Sequence, residues 1–208
     1  DLGIWFSVLL RPSLVPSEIS SITLLAGIAV CRGIRSVTGC AAKLKWPNDV
    51  VIGSRKVCGI LTEMAAEIDR VEYVVLGIGI NANTEAFPAE LAEKATSLRI
   101  EAGSAFPRAA ILRAVLKELE SLLLNAKAGS AFQEILDEYK FLCVSLNRRV
   151  GFFWNGEQQT GMAVDVSPSG ELIVERDGGG RISINAGEVV VQGIYGEHLP
   201  NPEGSKRA

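Results

Sequence analysis

Between Lys43 and Ile80 the chain holds four apolar, strand-like runs, at residues 43–46, 50–52, 56–64 and 71–80, separated only by Pro47-Asn48, Gly53-Ser54 and the polar stretch from Glu67 to Arg70. Parallel neighbours need a crossover of about a dozen residues or more, which these links cannot supply. The four runs therefore read as consecutive antiparallel strands of one sheet. Three of them also carry something a buried strand does not need. Lys45-Trp46-Pro47-Asn48-Asp49 ends the first, Arg55-Lys56-Val57-Cys58-Gly59-Ile60-Leu61-Thr62-Glu63 opens the third, and Gly77-Ile78-Gly79-Ile80-Asn81-Ala82-Asn83 ends the fourth. An unpaired polar group buried in such a strand costs ~1–3 kcal/mol, so a site is one way to justify the polar residues.

The surrounding sequence extends the same pattern. Ile4 to Leu10 is an aromatic-rich apolar run ending at Arg11-Pro12, which suits a further strand. After Pro16, Ser17 can cap a helix whose Ile22, Leu25, Ala26, Ala29 and Val30 recur at helical spacing up to the Gly39 region. Residues 81–106 are polar and punctuated and read as one long loop. Pro107 opens a helix with an apolar face of Ile111, Val115, Leu119, Leu122 and Leu123, and a shorter one follows around Phe132, Ile135, Leu136 and Tyr139. From about Asn147 short strands alternate with turns at Asn155-Gly156, Ser167 to Gly170, Asp177 to Gly180 and Ala186-Gly187, the pattern of a small β-barrel. The expected organisation is an α+β domain over 1–145, with a mixed, mostly antiparallel sheet and packed helices, a small barrel over 146–195 and a flexible tail over 196–208.

Composition narrows the chemistry. With 208 residues, 48% of them hydrophobic, the chain can bury a core of domain size. A net charge of -3 argues against nucleic acid and anionic membrane as partners. No run approaches the ~18 apolar residues of a membrane span, and the first residues lack a signal-peptide layout. Cys31, Cys40, Cys58 and Cys143 are too scattered for a zinc site or a disulfide framework, which fits a reducing cytoplasm. The only histidine, His198, lies in the Pro/Gly/charged tail, so triads, Cys-His dyads and His-ligated metals are nearly eliminated. Chemistry is left to Lys, Asp, Glu, Asn and backbone groups, with any metal held by oxygen.

Each motif alone has an ordinary reading. Trp-Pro-Asn-Asp is a sound turn, Lys56 follows a hairpin tip where lysines are commonly solvated, and Gly77 and Gly79 could mark a bulge. Together, in this order and spacing, they resemble the biotin–protein ligase family, whose signatures are K-W-P-N-D, R-K-x-x-G-I-L-x-E and G-I-G-I-N-x-N. Ala95-Thr96-Ser97-Leu98 is similar to its A-T-S-L/M element, and Ala186-Gly187-Glu188-Val189 to the end of its small Src-type module. The resemblance covers about residues 4–195.

It implies a class II synthetase-like ligase fold and an ATP-dependent enzyme that joins biotin's carboxylate to the α-phosphate of ATP. Biotin then passes from the biotinyl-5'-adenylate to a lysine of a biotin carboxyl carrier protein. Lys56 matches the essential lysine between the biotin carboxylate and the phosphate, where a fixed cation lowers repulsion between anions. Asp49 matches the carboxylate that assists the acceptor lysine or a Mg²⁺ ion. Gly59, Gly77 and Gly79 match positions where backbone meets biotin, and Trp46 a wall for its valeryl tail, or else a plain core tryptophan. Lys45, Asn48, Asn81, Asn83, Thr96 and Ser97 match the nucleotide side; an amide can both donate to phosphate or ribose oxygens and accept from an amino group. Cys58 stands where relatives carry a small residue and reads as a small core hydrophobe.

The resemblance allows a homodimer and sets no acceptor. The family's Gly/Arg-rich loop and the Ser/Thr element that binds the ureido ring have no counterpart here. The expectation is a fragment of a longer gene product, with little or no ligase activity by itself. A lipoate or octanoyl ligase or transferase of the same fold, and an inactive binding module, stand as alternatives.

Overall fold

In the computed structural model, residues 2–12, 16, 19–67, 70–126, 130–185, 187 and 189–199 are described. Strand β1 (Ile4–Leu10) precedes helix α1 (Ile19–Thr38) and the run β2 (Lys43–Lys45), β3 (Asp49–Ile52), β4 (Arg55–Ala66) and β5 (Val71–Ile80). Short links make β2 to β5 antiparallel neighbours, and β1 closes the sheet on the far side of β5, giving the order β1-β5-β4-β3-β2. All strand pairs in the described residues are antiparallel. The parallel component is confined to the isolated bridges Leu44–Cys143 and Lys56–Ala95.

The sheet has one covered face. Ile4 of β1, Cys58 and Ile60 of β4, and Val74, Leu76, Ile78 and Ile80 of β5 are buried. Helix α1 lies on this side, tied to β4 by a Thr23–Thr62 hydroxyl hydrogen bond of 2.7 Å. α1 is buried on nearly every side because α3 (Arg108–Ala126) covers its back. A Cβ on Gly33 would stand 2.7–2.9 Å from Val115, so glycine is what lets the two helix axes close up. At 20 residues with a mean hydropathy of 1.3, α1 is long and apolar enough to cross a membrane, which corrects the expectation that no run approaches that length. Its burial in the core accounts for the composition without a bilayer. The helix cap expected at Ser17 lies outside the described residues.

The stretch read as a long loop contains a short helix, α2 (Leu98–Ala102). The Ser97 hydroxyl accepts from the Ile100 amide at its start, and Gly103, at φ 73°, ends it. Helix α4 (Ser130–Leu142) leads to a second sheet of β6 (Arg149–Trp154), β7 (Glu157–Val166), β8 (Leu172–Arg176), β9 (Arg181–Ile184) and β10 (Val190–Val191), in the order β10-β6-β7-β8-β9. The short strands expected of the C-terminal module are present, and among the described residues they pair as an open sheet with no pairing of β9 to β10. Of the expected tail, Gly196 to Leu199 are described: Leu199 is buried, and a Cβ on Gly151 of β6 would meet it at 2.6 Å. His198 is exposed.

Candidate active site

The uncovered face of the first sheet carries the chemistry. Trp5, Gly79, Gly59, Asp49 and Lys45 stand side by side in register across all five strands, and Ser7, Gly77 and Leu61 form the next row. Three glycines in neighbouring positions remove the side chains from the middle of this face. The result is an open trough of about 590 Å³ with Gly59, Gly77 and Gly79 in its floor, Trp5 and Leu61 on its walls, and Lys56 and Asn48 at one end.

Each glycine can be tested by adding a methyl group. At Gly59 it would stand 3.0 Å from Lys56 Cε and 3.1 Å from Nζ, so the lysine can lie across the strand only because position 59 is bare. At Gly79 it would meet the Trp5 ring at 3.0 Å, whereas at Gly77 it would touch only Leu61, at an ordinary 3.7 Å. A side chain at Gly77 would thus be tolerated by the protein and would subtract from the trough.

The Lys56 ammonium forms an ion pair with Asp49 Oδ1, an ion pair rather than an aligned hydrogen bond. The lysine side chain is 42% exposed and the aspartate 12%, so the cation faces the trough while its partner stays behind it. The backbone on either side is clamped: Lys56 N–H donates to the Lys94 carbonyl and Thr96 N–H to the Lys56 carbonyl, each at 2.8 Å. Arg55 and Thr96 both bond Glu101 of α2, which ties the hairpin to the short helix.

A model of the biotin/lipoate A/B protein ligase family matches residues 1–81, and one of the biotin protein ligase C-terminal domain matches residues 146–191. The bifunctional ligase/repressor BirA of Bacillus subtilis is 37% identical over 184 residues, and the biotin–[acetyl-CoA-carboxylase] ligase of Mycobacterium tuberculosis 34% over 174. These alignments take in 85% and 81% of this chain. The crystal structure of the biotin protein ligase of Aquifex aeolicus superposes with a TM-score of 0.80 at 28% identity, over 92% of this chain and 82% of that one. The chain belongs to the biotin protein ligase family. It spans 55% and 61% of the length of the two curated relatives. Another Aquifex structure of the same protein, in complex with biotin and ATP, superposes with a TM-score of 0.78 at 28% identity, over 92% of this chain and 79% of that one.

Within this biotin protein ligase fold the residues singled out in the sequence fall into two groups. Lys56, Asp49, Gly59, Gly77, Gly79 and Asn48 gather at the trough. Asn48 spends its amide on the Ile60 carbonyl at 2.7 Å, fixing the turn before β3. The others lie away from it. Trp46 is fully buried, its indole N–H donating to the Gly170 carbonyl at 2.9 Å, and it lines a second cavity of about 230 Å³ that shares Asn48, Ile60 and Leu61 with the trough and is bounded by the C-terminal module. Lys45 is also buried, with Nζ donating to the Val189 carbonyl at 3.2 Å and standing 5.0 Å from the Tyr195 ring centre.

Asn81 donates to the Thr96 carbonyl, and Asn83 exchanges two hydrogen bonds with the Phe106 backbone. Thr96 and Ser97 are fully buried, Thr96 on Glu101 and Ser97 on the Thr84 carbonyl and the start of α2. These four side chains build the loop that clamps Lys56. Burial pushes the Cys58 thiol well above its ordinary range, in keeping with a core residue rather than a nucleophile.

Tyr195 was missed. It comes from the C-terminal module, yet its hydroxyl donates to Asp49 Oδ2 at 2.8 Å. Burial, then the Asp49 charge and the hydrogen bond to it, hold the phenol far above its usual value. No motif points to it, since it lies 146 residues from its partner. The one available signal was a bulky residue between two glycines, Gly193 and Gly196, at the boundary between the expected barrel and the expected tail.

The metal expectation meets a different donor set. Among the described residues no three His, Cys, Asp or Glu side chains converge. Both oxygens of Asp49 are engaged, one by Lys56 and one by Tyr195. Asp49 as it stands does not fit the role of a Mg²⁺ ligand.

Proposed function

We propose that the protein containing this chain uses ATP to attach biotin to a lysine of a biotin carboxyl carrier protein, by way of biotinyl-5'-adenylate. The observation that carries this reading is the half-exposed Lys56 ammonium, held by Asp49 across the bare Gly59 at the end of a glycine-floored trough. An apolar acid lies between Trp5 and Leu61 with its carboxylate toward Lys56. The fixed cation then lowers the repulsion between that carboxylate and the incoming α-phosphate and stabilises the charge that shifts as the acyl–phosphate bond forms and the bond between the α- and β-phosphates breaks, releasing pyrophosphate. Because the lysine is already placed by its partners, little reorganisation is left for the reaction itself.

In the second step Asp49, ion-paired with Lys56, takes the proton from the acceptor amine, which must be neutral to attack the acyl carbon; the acyl–phosphate bond breaks and AMP leaves. Asn48, Asn81, Asn83, Thr96 and Ser97 serve the nucleotide through the backbone they fix, and Mg²⁺ arriving with the nucleotide takes its oxygens mainly from the phosphates. The Mycobacterium tuberculosis relative, a biotin–[acetyl-CoA-carboxylase] ligase, and the Aquifex structure with biotin and ATP support the reading. A cytoplasmic location and a homodimer go with it.

The test is to incubate the complete gene product with ATP, Mg²⁺ and a carrier domain, offering biotin and lipoate in separate reactions. The carrier is expected to gain the mass of biotin on one lysine, with loss of the gain when that lysine is replaced. Transfer of lipoate in preference to biotin overturns the proposal.

A further inference from the structure

Three of the five residues in Lys45-Trp46-Pro47-Asn48-Asp49 reach the C-terminal module with their side chains, and Asp49 also holds Lys56 at the trough. Lys45 reaches Val189, Trp46 reaches Gly170 and Asp49 reaches Tyr195. Tyr195 stands out among these partners because it makes contacts on three sides. Its hydroxyl donates to Asp49 Oδ2, its ring faces the Lys45 ammonium, and its backbone N–H donates at 2.9 Å to the carbonyl of Ser54, in the hairpin tip that leads to Lys56.

Its backbone is unusual too. Tyr195 has φ 59°, a left-handed conformation that a bulky side chain adopts at a cost, and its neighbours Gly193 and Gly196 also have positive φ. A reversal built from glycines alone would turn the chain as well. The tyrosine is the member that reaches Asp49, and buried Ile194 beside it pins the turn to the module.

We propose that Tyr195 is a positioning residue of the ligase site: it orients Asp49, and through Asp49 the Lys56 ammonium, so that the C-terminal module sets the geometry of the reacting end of the trough. This rests on the function proposed above. A carboxylate that must both hold Lys56 and receive a proton needs one oxygen fixed and the other directed, and a single hydroxyl donor on Oδ2 achieves this. A tyrosine is long enough to supply that donor across the joint between modules while its ring shields Lys45 from solvent.

The variant that isolates the hydroxyl is Tyr195→Phe in the complete protein, since it keeps the ring over Lys45. Transfer of biotin from preformed adenylate to the carrier is expected to fall about tenfold, the rate equivalent of one hydrogen bond to a charged group. Adenylate formation should fall less, and the thermal midpoint should stay near that of the parent. Tyr195→Ala, which also uncovers Lys45, should depress both half-reactions.

A readout that needs no turnover is the carboxyl ¹³C resonance of Asp49, expected to move in Tyr195→Phe. An unmoved resonance overturns the proposal, and so does transfer at the parental rate in an active parent, or a Tyr195→Phe protein that loses both half-reactions and its thermal midpoint together. If the parent forms no biotinyl-carrier at all, the function proposed above falls, and the Asp49 resonance decides the positioning role by itself.

Discussion

Lys56 is a hairpin residue whose backbone is held from both sides by the 91–97 loop, so its side chain is the part that can be removed without disturbing the fold. Lys56→Ala is expected to leave the thermal midpoint nearly unchanged and to lower adenylate formation by about 10²–10³, the usual cost of deleting a preorganised charge at the reacting centre. Pyrophosphate release checks the rate and calorimetry checks the fold. Asp49 sits deeper and touches two groups, so Asp49→Asn should harm transfer to the acceptor lysine at least as much as adenylate formation. Single-turnover assays of each half-reaction measure the split. The closeness of these two residues was legible in the sequence because strand register puts short-range motifs side by side: Asp49, Gly59 and Gly79 are neighbours once the strands pair without long crossovers.

At the scale of elements, the close packing of α1 on α3 depends on one missing side chain. Gly33→Ala is expected to destabilise the protein by about 1–3 kcal/mol, because the added methyl meets Val115 backbone as well as side chain and a helix must shift to admit it. Chemical denaturation measures the loss. In the second sheet Asp177 at the end of β8 is bound by Arg149 and Thr160, and the arginine above all holds its carboxyl below the ordinary value. A depressed folded pKa contributes stability that is present above the unfolded carboxylate value of about 3.9 and is lost as pH falls through the folded value. The midpoint of denaturation should therefore fall more steeply below about pH 4 in the parent than in Asp177→Asn, and a matching slope would remove Asp177 from the acid response. Strand positions such as Ile4–Leu10 and Val71–Ile80 followed directly from apolar runs and turn residues. Helix α2 did not, because its five residues have no periodicity and it is specified by the Ser97 and Gly103 caps on either side.

For the whole molecule, the joint between the modules runs through Lys45, Trp46, Asp49 and the Lys140–Asp165 ion pair at 2.7 Å. Trp46→Phe removes the N–H together with part of the indole ring, leaving the Gly170 carbonyl without that donor and a small void beside it. It is expected to cost about 1–3 kcal/mol, with faster amide exchange around Gly170 than in the parent. The amino-acid sequence alone determined the antiparallel order of β2 to β5, the change to short strands and turns after about residue 147, and the family to which Lys56, Asp49 and the three glycines pointed. All of these follow from local periodicity, short connections and closely spaced motifs. Only the tertiary structure decided that Trp46 and Lys45 turn toward the C-terminal module, that Thr96 and Ser97 are buried in a clamp, and that Tyr195 stands behind Asp49. Strand alternation tells which face of its own sheet a side chain takes, but which distant backbone meets that face depends on how the two sheets pack against each other. That packing is fixed by contacts 100 or more residues apart, such as Trp46 with Gly170 and Asp49 with Tyr195, which no local pattern encodes.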